Sequence, residues 1–257
     1  MTSVHLLPHE LLRRVEAHEI GQRLTSVQRF EIREATHIPT VDEELTLVVI
    51  AGSVDFDHAT ASGTATLRDT LYVPWHDAVT LRPQGEELPV VMAFWVPCDR
   101  PTRFAHLPFA QADADPGRHN VYGDAEASTL RDVWDVIDGG FDSQRVLCGQ
   151  AKGALGGWTA WPPHEHTLER EETYVYFGLD GSFGVQLAYD DGDGMDEPHS
   201  VSLVREGHLV SVPRGFHPSV GSPAGGISYI YFMASHERED RDFMNLRIQS
   251  AYGTTFD

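Results

Sequence analysis

Leu45-Thr46-Leu47-Val48-Val49-Ile50-Ala51-Gly52-Ser53-Val54-Asp55-Phe56 decides the fold class of this chain. A continuous apolar, β-branched run meets a Gly-Ser break and resumes as an alternating segment. β-branched side chains suit a pleated surface, and a short apolar run bounded by a turn signal reads as a buried strand. The same texture starts near residue 24 and continues beyond: Leu71–Val73 stops at Pro74, Ala78–Leu81 alternates, and Val90–Val96 is a long buried strand. Ahead of it, one short helix opens at Pro8 with Leu11, Leu12 and Val15 on one face. Residues 99–128, rich in Pro, Ala and Asp, read as a linker or crossover.

The β texture then repeats over 129–257. Strands are expected at 144–151, 158–161, 172–177, 182–189, 200–204, 209–212 and 227–233, with a hairpin turn at Gly178-Leu179-Asp180-Gly181. The charged tail from Ser235 reads as loop, with a little helix near 241–246. Many short strands and little helix predict an all-β sandwich or barrel. Leu71-Tyr72-Val73-Pro74-Trp75-His76 is answered by Val210-Ser211-Val212-Pro213-Arg214-Gly215-Phe216-His217, which suggests tandem copies of one β-barrel, divided as 1–115 and 116–257.

Lys and Arg number 19 against 39 Asp and Glu, a formal net charge of −20. Such a surface repels nucleic-acid backbones and anionic lipid, so neither is expected as a partner. Two cysteines, Cys98 and Cys148, make no disulfide framework and read as small core residues of a reduced, cytoplasmic protein. The first twenty residues lack the apolar run and small-residue cleavage site of a leader, and no segment reaches the roughly 18 apolar residues of a membrane span.

Chemistry concentrates in Pro162-Pro163-His164-Glu165-His166, followed by Glu171-Glu172 and, far downstream, His217. Histidines at i and i+2 on a strand share one face and can converge on one cation. A carboxylate from the next strand and a third histidine complete a three-nitrogen, one-oxygen set that suits Zn, Fe, Mn or Ni and leaves positions open for substrate. A bare His-x-His also arises as a surface pair. The carboxylate at hairpin distance and the Val-Pro-x-Gly-x-His element argue for a site. Glu172 is the favoured ligand because it abuts the strand from Thr173, with Glu171 as alternative ligand, acid–base group or solvated residue. His58 and His76 stand alone and read as ordinary histidines. The acidic run 190–197 lacks calcium-loop spacing and reads as a solvated turn.

The order His-x-His, Glu, Val-Pro-x-Gly-x-His resembles the metal motifs of cupins. Residues 131–137, 157–166, 171–174, 184–191 and 212–218 are similar to the isomerase family that contains 5-deoxy-glucuronate isomerase, of inositol breakdown, and 4-deoxy-L-threo-5-hexosulose-uronate ketol-isomerase, of pectin breakdown. The connection Thr167-Leu168-Glu169-Arg170 is short, as in the pectin branch. Phe183-Gly184-Val185-Gln186 and Pro213-Arg214-Gly215-Phe216-His217-Pro218 resemble the inositol branch, and Asp135 stands where that pattern has Asn.

The resemblance implies a bicupin of two jelly-roll barrels, metal only in the C-terminal one, and a homo-oligomer. It implies aldose–ketose interconversion of a deoxy-hexuronic acid on a divalent ion, zinc first and manganese or iron next. The sequence offers Glu171, Tyr174 and Tyr189 for proton transfer, and Arg131, Arg145 or Arg214 for the substrate carboxylate. A cupin dioxygenase and a non-catalytic sugar-binding cupin are the competing readings.

Overall fold

The structure is a computed structural model that describes residues 3–166, 169–238 and 240–255, the side chain of Asp193 excepted. It is almost wholly β, and its longest α-helix is the six-residue Phe109–Ala114. No helix among the described residues is long and apolar enough to cross a membrane.

Four sheets carry the structure. A five-stranded sheet runs Ala105–Leu107, Thr70–Val73, Glu43–Ala51, Val90–Pro97, Ser26–Glu31. A seven-stranded sheet runs His5–Leu6, Leu209–Val212, Arg170–Tyr176, Ile227–Ser235, Val146–Gly153, Arg131–Ile137, His119–Tyr122. The first five strands of the second follow the order of the first. Two four-stranded sheets match in the same way: Thr36–Pro39, Ala78–Gln84, Ser53–His58, Ala61–Thr66 against Trp158–Thr159, Ser219–Gly221, Gly184–Ala188, Ser200–Val204.

The registers make the match residue by residue. Leu45 lies opposite Val73 as Glu172 lies opposite Val212, and Thr46 opposite Phe94 as Thr173 opposite Phe232. Phe94 and Phe232 stack on each other, ring centroids 4.4 Å apart and planes 8° from parallel. They sit in the apolar layer between the five- and seven-stranded sheets, with Val48, Ile50, Val175 and Ile230. On the far side of the five-stranded sheet, Leu47, Val54, Leu81 and Trp95 fill the space over the first four-stranded sheet. The corresponding layer of the second half is built from Tyr174, Tyr176, Tyr229, Tyr231 and Met233.

The same register pairs Glu44 with Glu171, and both reach across to the opposite half. Glu44 accepts from the backbone N–H of Gln144 and of Arg145, each at 2.8 Å, and from the Tyr72 hydroxyl at 2.5 Å. Glu171 accepts from the N–H of Arg23 (2.8 Å), Leu24 (2.9 Å) and Thr25 (2.7 Å). Each carboxylate thus satisfies amides just before a strand of the other half, Val146–Gly153 or Ser26–Glu31. His5–Leu6 adds a further tie by pairing with Leu209 and Val210 of the second half.

Three local expectations are corrected. The first helix is a single 3-10 turn, Pro8–Leu11, that buries Leu11 but leaves Leu12 exposed. Residues 99–128 are not bare linker, since they contain Ala105–Leu107, Phe109–Ala114 and His119–Tyr122. The tail forms no helix at 241–246. Instead Arg247–Ile248 pairs with His164–Glu165.

Candidate metal centre

His164 stands on the two-residue strand His164–Glu165, and His166 follows directly. Pairing with Ile248 and a backbone bond from Gln249 N–H to the Pro163 carbonyl (2.8 Å) hold that segment. His217 follows the turn after Leu209–Val212. Gly215 in that turn has φ +93°, and a Cβ there would come within 2.6 Å of the Tyr189 carbonyl oxygen, so glycine is required. Glu172 enters from Arg170–Tyr176, opposite Val212.

These elements bring the ligand nitrogens of His164, His166 and His217 within 4.8 Å of one another, all buried. Glu172 Oε2 lies 3.2 Å from His166 Nε2 and 2.9 Å from His217 Nε2. His164 Nδ1 lies 3.0 Å from the Pro162 carbonyl and His217 Nδ1 2.8 Å from that of Gly215. Donation to those carbonyls fixes the tautomer and leaves each Nε2 lone pair available.

The set fits a cation. Ligands about 2.0–2.1 Å from a shared ion stand about 3.0–3.4 Å apart. The Glu172–histidine separations of 2.9 and 3.2 Å are close to that, and the three histidine nitrogens, within 4.8 Å of one another, would draw in on an ion. His166 Nδ1 is buried with no hydrogen-bond partner, and His217 Nε2 meets only the Glu172 carboxylate, at 2.9 Å. Unpartnered buried nitrogens are costly unless something else binds there. Burial, reinforced by the neighbouring histidines, pushes His164 well below its usual pKa. Burial raises the Glu172 carboxyl, but His217 and His166 outweigh it and hold it well below the carboxylate range. Burial likewise lowers His166, whereas at His217 burial is outweighed by the Glu172 charge, which raises the imidazole, so an ion binding there would displace that proton to reach the neutral donor form a divalent metal needs.

A cavity of about 40 Å³ opens beside His164 and Glu172. Arg131 and Tyr174 line it, as do Tyr229, Tyr231, Phe243 and Met244. Arg131 is buried. It donates to the carbonyls of Thr129 (3.1 Å) and Trp161 (2.5 Å) and lies over the Tyr122 ring, 5.4 Å from its centroid, and among the described residues it has no ion-pair partner. Burial lowers its pKa while Tyr229, Tyr122 and Tyr174 oppose that shift. Tyr174 keeps its proton firmly: burial, then the Glu172 charge, push its hydroxyl well above the usual value.

The other sequence candidates lie elsewhere. Glu171 does not face the cavity, because alternation along the strand turns it to the opposite face, onto the amides of residues 23–25. Tyr189 donates to Gln249 Oε1 at 2.9 Å, and Arg145 to the carbonyls of Ser235 and His236. Arg214 is exposed beside Asp190 at 3.2 Å. His58 is buried against Asp77 and Phe104, and His76 is half-exposed. Cys98 and Cys148 are buried and unbridged. Thr167 and Leu168, in the connection between the His pair and the Glu pair, lie outside the described residues. Sequence reasoning missed Tyr229 and Tyr231, although their spacing of two in Ile227–Ser235 marks one face. It also missed Phe243 and Met244, whose tail segment has no periodic signal.

A model of the KduI/IolB family matches residues 10–248. A 5-deoxy-glucuronate isomerase of Bacillus licheniformis is 40% identical over 112 residues, 40% of each chain. One of Geobacillus thermodenitrificans is 34% identical over 91 residues, 32% of each. The matched segments therefore span well under half of these relatives. Among solved structures, an IolB-like protein of Salmonella typhimurium superposes with TM-score 0.74 over 93% of both chains at 18% identity. Protein Ylba of E. coli gives 0.58 at 13% identity, over 91% of this chain and 90% of that one. At such identities the likeness is one of fold.

Proposed function

Because the chain belongs to the KduI/IolB family, we propose that it is a divalent-metal-dependent isomerase of a deoxy-hexuronic acid. The reaction we infer converts 5-deoxy-D-glucuronate to 5-dehydro-2-deoxy-D-gluconate, in inositol breakdown, with zinc the expected metal. The observation that carries this reading is a buried arginine with no counter-charge in the same small cavity as a three-histidine, one-carboxylate cluster. A buried cation held by two carbonyls and the Tyr122 ring, with no counter-charge, is unfinished electrostatically, and a substrate carboxylate would complete it through a charge-assisted, bidentate contact.

His164, His166, Glu172 and His217 would hold the ion. When bound, it supplies a Lewis acid for the carbonyl and hydroxyl oxygens on adjacent carbons. Arg131 anchors the acid end of the substrate and so fixes which carbons lie at the cluster. Tyr174, which holds its proton, serves as a hydrogen-bond donor to a substrate oxygen. The tyrosine walls exclude water and strengthen each polar contact inside. The net change moves one proton from the hydroxyl-bearing carbon to the carbonyl carbon and one between the two oxygens, with no outside oxidant or reductant.

Metal analysis of the purified protein, with parallel assays on 5-deoxy-glucuronate and 4-deoxy-L-threo-5-hexosulose-uronate, tests the proposal. Metal in stoichiometric amount and turnover of the first acid are expected. Activity that survives His164→Ala would remove the metal mechanism, and oxygen uptake would favour a dioxygenase.

A further inference from the structure

The cavity beside the cluster holds about 40 Å³, room for a few waters. Pockets that take small molecules are about 300–1,000 Å³. A six-carbon acid therefore does not fit beside His164 and Arg131 in this arrangement, and a wall must move.

Phe243 is the wall with somewhere to go. It lines the metal cavity, its ring centroid 6.0 Å from that of His166 and 5.7 Å from that of Tyr231. It also lines a second cavity of about 320 Å³, bounded by Asp135, Leu147 and Arg241. Of the described residues around the metal cavity, only Phe243 and Tyr231 border both spaces. Tyr231 is tied down, since its hydroxyl donates to Asp135 and also lies 3.2 Å from the Trp134 carbonyl. The ring of Phe243 carries no polar atom and makes no such bond.

The backbone under that ring is fixed. Arg170 donates to Asp240 (3.1 Å) and to the Asp242 carbonyl (2.5 Å). Arg241 donates to the carbonyls of Asp138, Gly139 and Phe141. Downstream, Ile248 pairs with His164. The segment can therefore stay in place while the Phe243 side chain turns about its own bonds, a motion far faster than catalysis.

We propose that Phe243 is a specificity-determining partition: its ring swings from the metal cavity into the second cavity to admit a sugar acid, and its size sets how large an acid reaches the cluster. This rests on the isomerase reading only for the size of the natural substrate.

The test uses protein charged with Co(II), whose visible spectrum reports ligands reaching the metal. Glycolate serves as a small hydroxy acid and glucuronate as a six-carbon one. Phe243→Ala should raise the affinity for glucuronate relative to glycolate by at least about tenfold, and Phe243→Trp should lower it by a similar factor. Phe243→Leu gives a third point if the alanine variant does not fold. An unchanged ratio across variants whose Co(II) spectra match the parent overturns the partition. Lack of isomerisation by the parent protein, with the ratio shifting as stated, overturns the isomerase reading and leaves the partition standing.

Discussion

Glu171 and Glu172 are neighbours in sequence, yet replacing each by glutamine should damage different properties. Glu171 Oε1 accepts from the amides of Leu24 and Thr25, and Oε2 from that of Arg23. In Glu171→Gln the carbonyl oxygen can keep two of these bonds, but the new amide group meets a third N–H. One buried donor is left unsatisfied, at about 1–3 kcal/mol, and the surviving bonds lose their charge assistance. The sum is about 2–4 kcal/mol, which for a chain of this size lowers Tm by roughly 5–15 °C. Metal content should be unchanged. Glu172→Gln should do the reverse, losing metal while retaining the fold. The pH dependence supplies a second check. Burial raises the Glu171 carboxyl, but His236, whose Nε2 lies 3.7 Å away, and hydrogen bonds from the amides of Arg23, Thr25 and Leu24 outweigh it, and its net shift is downward. A depressed folded pKa means stability fully present above the unfolded value, about 4.3, and lost as pH falls through the folded value. The gap between parent and Glu171→Gln should therefore close on acidification below about pH 4. Thermal denaturation across pH, with metal analysis of each variant, decides the matter. A Glu171→Gln protein that melts with the parent but has lost its metal would refute the assignment of the two side chains.

Glu44 should show the opposite pH behaviour. Burial is the leading cause that raises its carboxyl, ahead of the bonds from Tyr72, Gln144 and Arg145 that lower it. Stability from that group therefore grows as pH falls through its folded value, and Glu44→Gln should cost less than Glu171→Gln at pH 7 in the same denaturation series. Arg131→Lys should lower kcat/KM for the uronate by about 30- to 100-fold, mostly through KM, because a lysine cannot reproduce the planar fork; steady-state kinetics checks this. His217→Ala should abolish metal retention, and chelation of the parent should lower its Tm in proportion to the logarithm of free metal, as calorimetry would show.

The strands were legible where one physical cause acted alone. Val90–Val96 and Leu209–Val212 are apolar, β-rich and bounded by turns, and they fold as read. Ala61–Thr66 carries Ala, Ser, Gly and Thr with mostly exposed side chains, so no burial pattern marked it, and only pairing with Ser53–His58 makes it a strand. The tail fails for another reason. Its role depends on meeting the segment of His164, a contact between residues more than 80 positions apart that no local period encodes. Within the candidate site, the histidines were legible because their spacing is itself the signal. Between Glu171 and Glu172 only adjacency to the strand from Thr173 favoured Glu172, since the connection from His166 breaks strand parity.

The matching strand order of the two halves shows what distinguishes a site from a core on one framework. At the inward positions of the first half stand Leu45, Leu47 and Val49, facing Trp95, Ala93 and Val91 on the neighbouring strand. Their register equivalents in the second half are Glu172, Tyr174 and Tyr176, facing Met233, Tyr231 and Tyr229. The first set is apolar, packs solidly and leaves no unmet hydrogen-bonding group at those positions. The second places a carboxylate beside three histidines and surrounds it with hydroxyls that need partners. Polar groups in such a place weaken folding unless they are satisfied. The outward positions show no such divergence, for Glu44 and Glu171 both stay as clasps between the halves. Stability is thus carried by the face the two halves share, and the inward face of the second half is left free to hold a costly cluster whose unsatisfied nitrogens only a ligand can complete.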